Sequence, residues 1–219
     1  MPRKKKQIIH NVPLHKHHHL FAHIGAHFMI PTFVTKYNGI SNELNIRKTK
    51  YYKSKGGQTI NLQKEPYFKE LVKKIKISVL RLSEQYYKAR KGYKVDVVSM
   101  WLNSNEKNRY HPPHNHQNTF ISGVIWLDGE RNDYPSLKIL RPYALPNLPI
   151  IENYNQINSN VISVESEKDK IIFFPSYLYH YVDKNLKAKP RISIAFDTIL
   201  RGPYGEIINN GETVGQYKI

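Results

Sequence analysis

The 219-residue chain has no cysteine at all, which excludes disulfides, zinc ribbons, thiolate-held metals and cysteine nucleophiles. Any metal bound here must be held by nitrogen and oxygen. No apolar stretch approaches the roughly 18 residues a membrane span needs. The basic start MPRKKK runs into IIHNVPLHKHHH instead of an apolar segment, so it does not read as a signal peptide and the expectation is a soluble, cytoplasmic protein. Acidic side chains are scarce in one part of the chain only. Residues 1–95 hold 21 Lys/Arg against 4 Asp/Glu, whereas residues 96–219 hold 13 of each. The whole net charge of +17 therefore sits in the first part. Such a surface attracts polyanions, nucleic acid or acidic protein surfaces by long-range steering, although lysines that only solvate a helix and a tail give the same count.

The length suits one principal domain, and 40% apolar content can supply its core. Residues 1–27 form a basic, His-rich tail (His15, His17, His18 and His19 cluster there), and residues 28–219 form the expected domain. FMIPTFVTKY, from Phe28, reads as a first strand. Over residues 66–90, Phe68, Leu71, Val72, Ile75, Val79, Leu82 and Tyr86 recur at three- and four-residue steps, the signature of an amphipathic helix. Pro66 suits its first turn and Gly92 its stop. Its other face carries Lys69, Lys73, Lys74, Lys76, Arg81 and Lys88, read as a solvated face. From residue 95 to 200 the texture changes to short β-rich runs, among them YKVDVVSMWL, NTFISGVIWL, KIIFFP, YLYHYV and RISIAFDTI. Short strands without alternating helices indicate a mainly β domain, an antiparallel sandwich or barrel behind an N-terminal helix.

Histidine is scarce beyond residue 27. Three of the four there, His111, His114 and His116, fall in HPPHNH, and the fourth is His180 in YLYHYV. Residues two apart on a strand share a face, so His114 and His116 can aim at one ion. His111, three residues before His114 across Pro112-Pro113, is expected to face elsewhere. A strand pairing across the barrel can bring His180 to the same point. Three imidazoles suit Fe, Zn, Cu or Ni and disfavour Ca or Mg. Trp101, Trp126, Tyr179 and Tyr181 are read mainly as core residues, with pocket lining as the other possibility.

Together, HPPHNHQNTFISGVIWL, KIIFFPSYLYHYVDKN and KPRISIAFDT resemble the double-stranded β-helix (a jelly roll or cupin-like barrel) of the Fe(II)/2-oxoglutarate-dependent dioxygenases. The resemblance is to a small phage and bacterial branch related to the prolyl hydroxylases. It spans residues 28–200 and is strongest over 97–198. It implies that His114, His116 and His180 ligate Fe(II), and that Arg191 forks onto the distal carboxylate of 2-oxoglutarate. Ser193 would share that contact, with Asn103 and Gln117 as candidates to reach metal-bound water, co-substrate or substrate. It also implies O₂ as co-substrate and hydroxylation of a substrate, a peptidyl prolyl residue by analogy, with release of succinate and CO₂. One departure stands out: the wider superfamily places a carboxylate in the middle ligand position, where this chain has His116.

Two other classes remain. A cupin-like metal-binding protein would share the barrel, but cupins place a glutamate soon after H-x-H, where this chain has Gln117, Asn118, Thr119 and Phe120. A basic nucleic-acid-binding module would interleave aromatic and basic residues, yet the basic excess does not coincide with the β-rich half.

Overall fold

The computed structural model describes residues 30–53, 56–143, 150–155, 158–207 and 213–218. The His-rich segment 1–27 lies outside them. All elements below belong to one compact unit, Thr32–Ile219. They are strand β1 (Phe33–Lys36), the short helix α1 (Ile40–Leu44), strand β2 (Gly57–Thr59) and helix α2 (Lys69–Gln85), followed by strands β3 (Lys94–Asn105), β4 (His111–His114), β5 (Ile121–Trp126), β6 (Leu137–Leu140), β7 (Val161–Val164), β8 (Lys170–Pro175), β9 (His180–Val182), β10 (Arg191–Arg201), β11 (Pro203–Ile207) and β12 (Thr213–Lys218). One sheet has the order β1-β8-β5-β10-β3-β2 and a second β4-β9-β6-β7, and every pairing in them is antiparallel. β11 and β12 make a separate hairpin that the sequence reading did not identify.

The six-stranded sheet is two-faced by simple alternation. On β10, Ile192, Ile194 and Phe196 join the apolar core, while Arg191, Ser193 and Ala195 line a cavity on the other side. On β5, Ile121 and Ile125 take the core side, and Ser122, Val124 and Trp126 the cavity side. Helix α2 covers the core face through Leu71, Ile75 and Val79, just after Phe68, and each is essentially inaccessible to water. Burial of each such side chain stabilises the fold by about 1.5–3 kcal/mol.

The helix ends earlier than its apolar pattern predicts, at Gln85 instead of residue 90. Lys88 adopts the left-handed conformation (φ 53°) and Ala89 N–H returns to the Ser83 carbonyl, which closes the helix before Gly92 is reached. Tyr86 therefore leaves the stripe. It is 59% exposed and its ring packs on Phe33, 4.5 Å between centroids. Part of the basic face is paired locally, Lys74 with Glu43 and Lys76 with Asp96. Among the described residues no helix is long and apolar enough to cross a membrane.

Besides the pairing of β1 with β8, one carboxylate ties the N-terminal segment to the sheet. Asp169 accepts hydrogen bonds from Gly39 N–H (3.1 Å), Ser41 N–H (2.8 Å) and the Ser41 hydroxyl, capping α1 from a distant loop.

The core face is closely packed at Gly123. It pairs with Phe196 across β5 and β10, and the Phe196 ring lies over it. A Cβ at this position would sit 2.3 Å from Phe196 Cζ and 2.6 Å from the Ile172 carbonyl oxygen. The neighbouring backbone cannot yield, so Gly123→Ala should destabilise by about 1–3 kcal/mol, in the range of overpacked cores. At about 2–4 °C per kcal/mol for a domain of this size, thermal unfolding should show a drop of several degrees. An unchanged melting temperature would contradict the packing described.

Candidate metal centre

β4 and β9 pair with His114 directly opposite His180, their rings 4.3 Å apart. His116 follows two residues later, beyond the end of the strand, where its N–H donates to the Ser176 carbonyl (2.9 Å). Its ring stacks on Trp101 at 5.5 Å and 25°. The three histidines each bring one ring nitrogen within 4.8 Å of the others. His114 and His116 thus meet as the two-residue spacing predicts, although main-chain and side-chain contacts beyond the strand hold His116 there.

The protonation pattern of the rings is uniform. His114 Nδ1 lies 2.7 Å from the Pro112 carbonyl, and His180 Nδ1 lies 2.9 Å from the Leu178 carbonyl. A carbonyl oxygen can only accept, so Nδ1 carries the proton in both and Nε2 is left bare. His116 Nδ1 lies 2.6 Å from Asp197 Oδ1, with the same result. Metal-ligating histidines are oriented in this way, the second nitrogen donating to an oxygen. Burial also pushes His180 down to about 4, which keeps its imidazole neutral and able to ligate at ordinary pH.

His111 corrects the alternation argument. Facing His180 and Val182 across β4 and β9, His114 and His111 are three residues apart opposite partners only two apart, so β4 carries a one-residue bulge. The bulge turns His111 back onto the side of His114, and it lines the same cavity. Its Nε2 lies 2.6 Å from Asn105 Nδ2, and burial, with Arg191 close by, pushes it down to about 4.

The cavity encloses about 510 Å³ including its open mouth. Arg191 lies at the start of β10, only 4% exposed, and its Nε has no hydrogen-bond partner. Burial pushes Arg191 down to about 10, so it remains a cation at neutral pH, with Asp128 and Tyr134 partly offsetting the burial. Ser193 is buried beside it on the same face. Asn103 pairs with Ser193 across β3 and β10 and lines the cavity, but its Oδ1 is engaged by Gln58 Nε2 at 2.8 Å. Gln117 is exposed. Trp126 is a buried core residue, as read, that also borders the cavity; Trp101 and Tyr181 line the cavity, so the core reading is corrected for those two, while Tyr179 is exposed.

Sequence reasoning missed Asp197. The signal was an acid six residues after Arg191 in an apolar strand, hence on the cavity face with Arg191, Ser193 and Ala195. Its bond to His116 depends on a strand and a loop that sequence alone does not bring together.

Residues 99–197 match the family model described as "Putative 2OG-Fe(II) oxygenase". That segment is similar to the Fe(II)/2-oxoglutarate oxygenases, a family whose cofactors are Fe(II) and 2-oxoglutarate. No curated protein matches the sequence. Among solved structures, AviO1 from Streptomyces viridochromogenes Tue57 is similar at a TM-score of 0.54 with 14% identity, covering 81% of this chain and 93% of that one. HygX from Streptomyces hygroscopicus, with nickel and 2-oxoglutarate bound, is similar at 0.53 with 10% identity, covering 91% and 94%. A Pseudomonas putida prolyl-4-hydroxylase is similar at 0.52 with 11% identity, covering 84% and 100%. These likenesses establish the double-stranded β-helix fold.

The residues fit the family's cofactors. Three bare imidazole nitrogens form a donor set for a transition metal, and the buried Arg191 with its unpartnered Nε is matched to a carboxylate.

The half-buried His111 and the buried His180 also set a pH dependence for the metal-free protein. His111 and His180 are held near 4 in the fold against an ordinary 6.5, so the unfolded chain binds more protons between those values. Their contribution is complete above about 6.5 and is lost as pH falls towards 4, by up to about 1.4 kcal/mol per pH unit for each group. Urea unfolding of metal-free protein should show this fall, and His111→Phe should flatten it. An equal slope in that variant would show that His111 does not contribute.

Proposed function

We propose that the chain is an Fe(II)- and 2-oxoglutarate-dependent hydroxylase in which His114, His116 and His180 hold the iron. Arg191 and Ser193 receive the distal carboxylate of 2-oxoglutarate. The observation that carries this reading is Arg191, a buried cation whose Nε has no protein partner, in the same cavity as the three histidines. A buried guanidinium whose Nε has no partner is costly even with Asp128 partly offsetting its burial, and a dicarboxylate supplies an anion for it. A metal-binding barrel without that co-substrate gives Arg191 no such partner.

When bound, iron and 2-oxoglutarate supply the oxidising chemistry, in which O₂ is consumed, 2-oxoglutarate is decarboxylated to succinate and CO₂, and one oxygen atom passes to the substrate. The chain positions and shields. The Pro112 and Leu178 carbonyls fix the rings of His114 and His180, so their Nε2 atoms need no reorientation when metal binds. Phe174 meets the His180 ring edge-on at 4.8 Å and Trp101 covers His116, closing those sides to water. Ser193 stands two residues beyond Arg191 on the same strand face, where its hydroxyl can donate to the carboxylate that the guanidinium holds.

The substrate reading is a peptidyl prolyl residue. It is supported by the fold shared with a prolyl-4-hydroxylase. The positive excess of residues 1–95 supports an acidic or polyanionic partner for the substrate-bearing molecule.

Fe(II)-loaded protein should develop a weak visible charge-transfer band on anaerobic addition of 2-oxoglutarate. Arg191→Ala should raise the dissociation constant for 2-oxoglutarate by about 100-fold, the loss of a charged, buried hydrogen-bonded contact, with iron stoichiometry unchanged. If that variant binds 2-oxoglutarate as the wild type does, the assignment of Arg191 fails. Proline-containing peptides should stimulate succinate formation more than free amino acids or nucleobases, and the reverse order would refute the prolyl reading.

A further inference from the structure

We infer that His116 and Asp197 act as one anionic ligand unit, with Asp197 as the positioning residue that selects the His116 nitrogen facing the metal and supplies the charge that a carboxylate ligand would carry. This rests on the proposed three-histidine iron site.

The three histidines differ in what holds them. His114 and His180 donate Nδ1–H to main-chain carbonyls two residues earlier in the chain, which are neutral acceptors. His116 alone donates to a charged side chain, Asp197 Oδ1 at 2.6 Å. The same oxygen accepts from Ser122 Oγ at 2.6 Å, and Ser122 is hydrogen-bonded to Ser176 Oγ at 2.8 Å. Ser176 also takes the His116 N–H on its carbonyl. His116 is thus fixed at its backbone, at Nδ1 and, through the Trp101 stack, across its ring face. Only Nε2 remains free. Asp197 is 7% exposed and lies where the β10–β3 register shifts, Val98 being the extra residue on β3. Such bulges re-aim side chains beside functional sites.

A site of two histidines and one carboxylate places one negative charge among its ligands. Three neutral imidazoles place none. Asp197 returns that charge one imidazole away, without occupying a coordination position, and a carboxylate on the distal nitrogen makes the ligating nitrogen more basic. The departure at His116 and the acid at Asp197 are therefore two halves of one substitution: the carboxylate has moved outward by one side chain.

Asp197→Asn keeps the shape and an acceptor for Nδ1–H but removes the charge. It should weaken Fe(II) and Co(II) binding by about 10- to 100-fold while far-UV circular dichroism stays that of the wild type. The double variant His116→Asp/Asp197→Asn, which returns the charge to the ligand position, should recover affinity toward the wild-type value. In wild-type protein loaded with Co(II), paramagnetically shifted proton spectra should show three exchangeable Nδ1–H resonances, that of His116 exchanging most slowly. Asp197→Asn should accelerate its exchange alone. Wild-type affinity in a folded Asp197→Asn protein would overturn the inference. So would attachment of His116 through Nδ1 in the wild-type spectrum, a result that does not depend on any variant folding. The underlying iron site is tested separately by His180→Ala: if this variant binds Co(II) as tightly as wild type, the three-histidine site itself is wrong.

Discussion

The site depends on β10 being held in register from both sides. Its residues 193–198 pair with β5 and its whole length pairs with β3. A slip of one residue would exchange its two faces, driving Arg191 and Asp197 into the apolar core and turning Ile192, Ile194 and Phe196 into the cavity. Burial of Arg191 and Asp197 is tolerable only because this does not happen. The register itself is protected by the Phe196 ring lying over Gly123, a contact that leaves no room for any other side chain opposite it.

The start of β10 is secured by charge as well as by packing. Asp128, at the end of the β5 segment, accepts Ile192 N–H on Oδ1 and pairs with Arg47 Nη2 at 2.7 Å on Oδ2. Arg47 also reaches the Pro190 carbonyl. The residues on either side of Arg191 are therefore fixed by groups other than Arg191 itself, and its Nε is left without a protein partner. The N-terminal segment that supplies Arg47 is in this sense part of the site's support.

The second sheet contributes two of the three clustered histidines. β4 and β9 place His114 against His180, and the bulge at Pro112-Pro113 allows a short edge strand to present His111 and His114 to the same space. Proline suits this position, since it lacks the N–H that a continuous ladder would require. Asp197 then connects the two sheets, because it stands on β10 and holds a histidine that follows β4. The three histidines and the Arg191 guanidinium are thereby brought to one cavity by strands of opposite sheets.

Much of this was legible from residue patterns. Alternation along RISIAFDT gives the two faces of β10, the apolar stripe gives α2, and H-x-H with a remote histidine and R-x-S gives the residues that meet in the cavity, because each pattern reports a local periodicity that burial must respect. The end of α2, the direction of His111 and the partner of His116 were not legible. A left-handed Lys88, a bulge across two prolines and a bond between residues 116 and 197 each arise from where a distant or irregular backbone segment places an acceptor. The sequence by itself determined which side chains can share a face and which chemistry they can perform. Only the tertiary structure decided which carbonyl or carboxylate oxygen each histidine ring meets and that Asp197 stands beside His116, since strand pairing and a contact between residues 116 and 197 are not related by sequence spacing.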